Sequence, residues 1–332
     1  MKEYRVAILG ATGAVGQEMI KVLQERNFPI SELRPLASAR SAGKEIEFNG
    51  EKVKIQEAAE NAFEGIDIVL GAAENDIAKA FAPAITKTGA VFVDNSSAFR
   101  MDKDVPLVIP EINGEDALKN NGIIANPNCS TIITLMGIAP IAKISPIKTL
   151  VASTYQAVSG AGAGGLYELE EQVRDYAAGK ESKAEVFPHQ IAFNLIPKIG
   201  GLLENGYTSE EMKMQNEGRK ILHLPDMKVC CTCVRVPVLR SHSISAALVT
   251  EEHISVERAK AAISGAEGVK LYDDAANDIY PMPLVTSDQD LVYVGRVRED
   301  LINPNGLSLW CCGDQIRKGA ATNAVQIAQL LI

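Results

Sequence analysis

The sequence has no positive balance of charge. Its 33 Lys and Arg against 42 Asp and Glu leave a formal net charge of −9, which argues against non-specific nucleic-acid binding. It also lacks a run of about 18 apolar residues; the longest candidate, TIITLMGIAPIA, is too short to span a bilayer and reads as a buried helix. The chain begins MKEYRVAILGATG, going straight into a strand-and-turn pattern without a signal-peptide core or cleavage site, so a cytoplasmic protein with no membrane partner is expected. Repeats and low-complexity tracts are missing as well. The six cysteines do not suggest a disulfide framework in such a chain. Cys230 and Cys233 form a C-x-x-C, but in a Val- and Thr-rich segment that reads as a strand, where an odd separation points two side chains to opposite faces. Cys311 and Cys312 fail as a metal pair for the same reason, and no metal site is expected.

What is present is an ordinary globular composition, 46% apolar and 23% charged, over 332 residues, long enough for two domains. In the first part, strands fit residues 4–9, 33–38, 66–71, 90–94 and 122–125, with helices at 14–26 and near 76–87. That alternation predicts an α/β fold with a Rossmann-type, doubly wound parallel sheet. After about residue 145 the texture changes. Segments 147–158, 228–238, 243–250, 290–298 and 306–312 predict a largely antiparallel sheet, with helices near 163–178, 208–221 and 255–264 in a second α+β domain. Ala321, Val325, Ala328 and Ile332 recur at helical spacing, so a terminal helix is expected to return to the first domain. The expected boundaries are 1–131 with 315–332 for a cofactor-binding domain, and 132–314 for a catalytic and dimerisation domain.

ILGATGAVG places Gly10, Gly13 and Gly16, with Thr12, Ala14 and Val15 between and beside them, at a strand-to-helix turn. Glycines there let a backbone approach a pyrophosphate, and the helix N-terminus offers unpaired N–H donors. A carboxylate at the end of the second strand would bind a ribose hydroxyl and signal NAD; the segment instead reads ASARSAGK. Ser38, Arg40 and Ser41 suit a 2′-phosphate, so NADP is the expected cofactor.

Cys129 stands in ANPNCSTI, behind Asn-Pro-Asn and ahead of an apolar helical run. With Asn126 or Asn128 as cap, the sulfur falls in a helix's first turn. There, free N–H groups and the dipole lower a thiol's pKa and provide donors for an oxyanion. A thiolate beside a nicotinamide cofactor suggests a thiohemiacetal that loses hydride to become a thioester, opened by a second nucleophile.

GATGAVG, NPNCST, YQAVSGAGAGG and CVRVPVLRSHS, in this order and at these separations, resemble the bacterial aspartate-semialdehyde dehydrogenase family over essentially the full chain. The resemblance implies reversible, phosphate-dependent conversion of L-4-aspartyl phosphate and NADPH to L-aspartate 4-semialdehyde. That reaction serves lysine, threonine and methionine biosynthesis, by a homodimer or homotetramer. It implies Cys129 as the nucleophile and His242, in RSHS, as the acid–base group, titrating near neutrality. His189, His223 and His253 lack the motif. Arg235 matches the arginine that clamps the substrate carboxylate, with Arg240 as competitor, and Gln156 matches the glutamine that orients the substrate. On one continuous strand Arg235 and His242 would face opposite ways, so a break near Pro237 is expected to re-aim one of them. Arg100 and Lys213 match phosphate positions, and Glu210, with Glu211 as substitute, resembles the acid taking the substrate ammonium. Ser159 and Gly160 resemble the contact with the nicotinamide side, and Gln315 stands where relatives often carry a cofactor-contacting Asn. The nearest rival is an N-acetyl-glutamyl-phosphate reductase, whose nucleophile sits in a Pro-Gly-Cys-Tyr context; a rival of another class is a catalytically idle NADP-binding protein.

Overall fold

The structure, a computed structural model, describes residues 2–332, and the chain divides into two compact units. The first runs to Asn128 and takes back Ala320–Ile332; the second is Cys129–Gly319.

In the first unit eight strands form: β1 (Tyr4–Leu9), β2 (Ile30–Ala37), β3 (Glu45–Phe48), β4 (Glu51–Lys54), β5 (Gln56–Glu57), β6 (Ile68–Gly71), β7 (Val91–Asp94) and β8 (Ile123–Ala125). Six of them make an all-parallel sheet in the order β5-β2-β1-β6-β7-β8. The order reverses direction at β1, leaving a crevice beyond the carboxyl ends of β1 and β6, where such sheets take ligands. β1 shows why its sequence is apolar throughout. Val6 and Ile8 pack into one core cluster with Met19, Val22 and Leu23 of the helix Ala14–Glu25. Ala7 and Leu9 pack into another with Ala78, Ala82 and Ile85 of the helix Asn75–Lys87. A strand buried on both faces cannot alternate with polar residues. The terminal helix Thr322–Gln329 joins the first cluster through Ala324, Val325 and Ala328, with Ala321 just before it. Ile332 lies past the helix end and is exposed, so the apolar stripe stops one position short of the four expected.

The second unit contributes β9 (Ile147–Gln156), β10 (Lys228–Arg235), β11 (His242–Thr250), β12 (Val269–Leu271), β13 (Val292–Glu299) and β14 (Gly306–Gly313), in the order β10-β9-β11-β14-β13-β12. The three central pairings are antiparallel, but both outer ones, β9 with β10 and β12 with β13, are parallel. This mixed sheet qualifies the antiparallel expectation. Between β9 and β10 lie the helices Gly162–Ala177 and Ser209–Ile221, a connection long enough to return the chain in the same direction. One sheet face is packed by the helices Cys129–Ala142, Ser209–Ile221 and Val256–Ser264. The other carries Ser153, Tyr155, Ala247, Val249 and Trp310, all half-buried, and exposed Val151, with the Tyr155 and Trp310 rings 5.4 Å apart. Strand parity also places Cys230 in solvent and Cys233 in the core.

Candidate active site

Three neighbouring strands deliver the second unit's site. β9 ends at Gln156, which lies opposite Arg235 at the end of β10, and β11 begins at His242 on the other side of β9. The link between β10 and β11 passes over the end of β9: the Val236 N–H donates to the Gln156 carbonyl, and the Val158 N–H donates to that of Val238. Because the chain reverses at Pro237 to Ser241, the parity of one continuous strand does not apply, and Arg235 and His242 converge. Ser241, buried, takes a left-handed φ of 73°. Its N–H is held at 2.8 Å by the Gln315 Oε1, while the Gln315 Nε2 donates to the Ser159 hydroxyl.

Cys129 opens the helix Cys129–Ala142, whose residues 130–141 are all buried, so its position is set by a helix that is apolar on every side. The sulfur is half-buried and lies 3.4 Å from the His242 Nε2. A Cβ on Gly319 would come within 3.0 Å of that of Cys129, so the main chain at 319 approaches this cysteine closely. Asn126 is not the cap: its amide bonds Asn95, Asn323 and the Ala320 carbonyl within the first unit, leaving Asn128 directly before the helix.

Arg235 is buried, with its Nη1 2.6 Å from the Ala157 carbonyl and its guanidinium 5.7 Å from the centre of the Phe187 ring. Burial lowers its pKa, opposed by the negative charge of Cys129 and Glu210. His242 is fully buried. Burial, and then the Arg235 guanidinium, push its imidazole down to about 3, against the expectation of titration near neutrality; Glu210 opposes them. Glu210 reaches Gln156 at 3.4 Å and Lys213 at 2.9 Å, whereas Glu211 is spent on its helix: it accepts from the Thr208 N–H in a capping box and from the Cys233 N–H. Arg240 pairs with Asp314 at 2.5 Å and Asp288 at 2.7 Å. Geometry thus separates both pairs of candidates, bringing Glu210 and Arg235, not Glu211 and Arg240, to Gln156, Cys129 and His242.

Phe187, Ala157 and Gly319 escape a motif-based reading. Phe187 lies on a loop tied to the helix Gly162–Ala177, where the Gln172 Oε1 accepts from the Ile191 and Ala192 N–H groups and Glu168 accepts from those of Glu185 and Val186. Gly160 packs between functional groups, since a Cβ there would lie 2.8 Å from the Arg235 Nη1 and 3.4 Å from the His242 Cε1.

In the first unit the three loop glycines differ. Gly10 has a φ of 92°, and a Cβ there would lie 2.7 Å from the Ala72 carbonyl oxygen; one on Gly16 would overlap the Gly10 carbonyl. Gly13 has an ordinary φ of −75°, and a Cβ there would meet nothing closer than 3.5 Å. Nothing in the chain itself requires glycine at 13, which fits a position kept open for a ligand. The helix that follows has neither a side-chain cap nor an acidic residue in its first turn, leaving its N-terminal donors suited to a pyrophosphate. Gly16→Ala is expected to destabilise the fold by about 1–3 kcal/mol, seen as a lower unfolding temperature. Gly13→Ala should keep that temperature and weaken dinucleotide binding in titration calorimetry; equal stability losses would remove the distinction.

At the end of β2, Arg40 is exposed and Ser41 is buried, its N–H donating to the Ser38 carbonyl. Sheet pairing also brings exposed Glu57 opposite Ala37, a carboxylate that the β2 segment alone does not reveal. Arg100, buried, donates from Nε to the Asn126 carbonyl and from an Nη to that of Asn95. Among the described residues, no group of three or more His, Cys, Asp or Glu could hold a metal ion, and no helix is long and apolar enough to cross a membrane.

A doubly wound dinucleotide-type unit together with a mixed-sheet unit defines a two-part oxidoreductase of the semialdehyde dehydrogenase class. The family profile "Semialdehyde dehydrogenase, NAD binding domain" matches residues 5–120, and "Semialdehyde dehydrogenase, dimerisation domain" matches residues 138–318. Aspartate-semialdehyde dehydrogenase of Synechocystis sp. is 54% identical over 99% of this chain and 97% of its own, and that of Aquifex aeolicus is 52% identical over 99% and 98%. The crystal structure of aspartate semialdehyde dehydrogenase II complexed with ASA from Vibrio cholerae superposes with a TM-score of 0.97 at 43% identity, covering 100% of this chain and 98% of that one. The chain belongs to the aspartate-semialdehyde dehydrogenase family, oxidoreductases of amino-acid biosynthesis with an NAD(P)-binding unit.

Proposed function

We propose that the protein reduces L-4-aspartyl phosphate to L-aspartate 4-semialdehyde with NADPH, reversibly and with inorganic phosphate as the co-product or co-substrate. The reaction supplies the branch to lysine (through diaminopimelate), threonine, methionine and isoleucine. The observation that carries this reading is the Cys129 sulfur at a helix mouth, 3.4 Å from a buried imidazole. In the reductive direction the sulfur attacks the acyl phosphate, the C–O bond to phosphate breaks, and an acyl thioester remains on Cys129. Bound NADPH supplies the hydride that takes the thioester carbonyl to the aldehyde level. His242 handles the proton at the sulfur and at the oxygen that gains charge, and the thiolate leaves as the aldehyde departs. Arg235 receives the substrate carboxylate as a two-pronged donor, Glu210 receives the ammonium, and Gln156 orients the carbonyl. Arg100 and Lys213 are the proposed phosphate cations.

Gly10, Thr12, Gly13, Ala14, Val15 and Gly16 would hold the dinucleotide pyrophosphate; Ser38, Arg40 and Ser41 the 2′-phosphate; Ser159, Gly160 and Gln315 the nicotinamide end. The proposed division of labour follows the two units, residues 1–128 with 320–332 for cofactor and 129–319 for catalysis and dimerisation, which moves the expected boundaries at 131/132 and 314/315 by three and five residues. The small and apolar residues on the half-buried second face of the sheet, with Val151 exposed, support self-association as a homodimer or homotetramer, as does the match to a dimerisation domain. The NPNCST setting of Cys129 disfavours an N-acetyl-glutamyl-phosphate reductase, and the assembled Cys129, His242, Arg235 and Gln156 disfavour an idle NADP-binding protein.

The test is NADPH formation from aspartate semialdehyde and NADP, followed at 340 nm with and without inorganic phosphate. Turnover should require phosphate; equal turnover with sulfate in its place would remove the phosphorolytic step. Arg40→Ala should weaken NADP binding by roughly tenfold or more, the scale of one lost charge-assisted contact, and leave NAD binding unchanged. Unchanged NADP affinity would return the choice of cofactor to Glu57.

A further inference from the structure

We propose that the main chain of Ala157 fixes the resting protonation pattern of the site. Its N–H holds His242 as the neutral Nε2–H tautomer, so the cation that balances a Cys129 thiolate is the Arg235 guanidinium and not an imidazolium. The inference rests on the reading of Cys129 as the nucleophile and specifies how its charge is held before substrate arrives.

The Ala157 N–H donates to the His242 Nδ1 at 3.1 Å. A neutral imidazole carries one N–H, and with Nδ1 accepting, that proton is on Nε2. Nε2 faces the Cys129 sulfur at 3.4 Å, so the sulfur is the acceptor of this contact. An imidazolium would set an Nδ1–H against the Ala157 N–H, two donors head to head in a pocket where both residues are 0% exposed. Turning the peptide to relieve this would break a second bond, because the Gln156 carbonyl of the same peptide accepts from the Val236 N–H at 3.0 Å. The Ala157 carbonyl is held on its other side by the Arg235 Nη1 at 2.6 Å and the Gly160 N–H at 3.2 Å. One residue's backbone therefore seats both functional side chains.

The charged groups facing the imidazole agree. Arg235, from β10, opposes a second cation; Cys129, from its helix, favours the Arg235 charge; Glu210, from the helix Ser209–Ile221, opposes both shifts and is itself shared with Lys213. Within the link before β11, Arg240 is neutralised by Asp314 and Asp288. A neutral imidazole that donates from Nε2 is suited to stabilising negative charge on sulfur or on a substrate oxygen. It takes up a proton only after the Ala157 contact opens.

The experiment uses the full-length enzyme without substrate or cofactor, labelled with 15N in its histidine rings, the His242 signals being those lost in His242→Gln. The proposal expects a protonated Nε2 and an unprotonated Nδ1 from pH 8 to about pH 5. An imidazolium at pH 7 that reverts to the neutral ring in Cys129→Ala would overturn it, as would an Nδ1–H tautomer. A second readout is the pH profile of Cys129 alkylation by iodoacetamide. Glutamine reproduces the pattern of one acceptor and one donor, so His242→Gln should leave the midpoint within about half a unit, whereas Arg235→Gln should raise it by about one unit or more, a tenfold loss of rate below the midpoint. The reverse ranking would overturn the proposal. Neither readout involves turnover, so an inactive enzyme that passes both would contradict the proposed reaction and leave this inference standing.

Discussion

Cys129→Ala is expected to lower turnover of aspartate semialdehyde by about four orders of magnitude or more, because in the proposed reaction the acyl chain rests on this sulfur. The remaining five cysteines do not substitute. Cys311 and Cys312 are buried in β14 with thiols pushed up by burial. Cys231 and Cys233 lie against each other in the core at 3.8 Å, where the neighbouring thiol and then burial raise the pKa of Cys231. Cys230 is exposed beside the Tyr207 hydroxyl. The same substitution should leave the fold intact. It keeps the Cβ that packs against Gly319 and removes only a half-buried sulfur, a change worth under about 1 kcal/mol. Activity and far-UV circular dichroism on the same sample check both halves. A variant that unfolds would make the cysteine a structural residue, and one that keeps wild-type turnover would remove it from the chemistry.

Arg235→Lys should reduce kcat/KM for the semialdehyde by about 10²–10³-fold, or ~3–4 kcal/mol at 1.36 kcal/mol per decade. Charge is conserved in this variant, so the loss isolates geometry. The guanidinium holds the Ala157 carbonyl with one nitrogen, lies over the Phe187 ring and still has donors for a carboxylate; an ammonium has no flat face and no fork. Steady-state kinetics against semialdehyde concentration, with phosphate and NADP saturating, give the ratio. A fall of less than threefold would mean that a point charge suffices and that the carboxylate is not clamped here. Phe187→Leu should give a smaller loss in the same direction, since it removes the ring and keeps the apolar contact.

Much of this arrangement is legible in the sequence because it follows from periodicity. β1 reads as a strand and forms one, packed on both faces; β9 and β11 begin and end within one or two residues of the expected bounds. The Cys129 helix is recognisable by its punctuation, an Asn-Pro-Asn entry ahead of an unbroken apolar run. The hairpin β3–β4 is missed although its turn, Asn49-Gly50, takes left-handed φ values of 51° and 81°, the pattern that Asn-Gly favours between two short strands. Its strands are too charged to stand out by hydropathy. The parallel outer pairs of the second sheet are not legible, since parallel or antiparallel pairing depends on where a long connection returns rather than on the strand's own residues. Within the site, residue types carry the chemistry and motifs find them, as with Cys129, His242 and Arg235. The main-chain group on Ala157 and the Phe187 face leave no such trace, because each meets its partner only through the fold. The downward push on the His242 pKa is hidden for the same reason, since it comes from burial and a nearby cation and not from the residue type.

The account turns on an acyl group resting on Cys129 between hydride transfer and phosphate attack. Rapid mixing of enzyme with aspartate semialdehyde and NADP in phosphate-free buffer, followed by absorbance at 340 nm, tests this directly. It should show a burst of NADPH that approaches one equivalent per Cys129 and then stalls, with turnover resuming when phosphate is added. Continued linear turnover without phosphate, or a burst of the same size in Cys129→Ala, would contradict it.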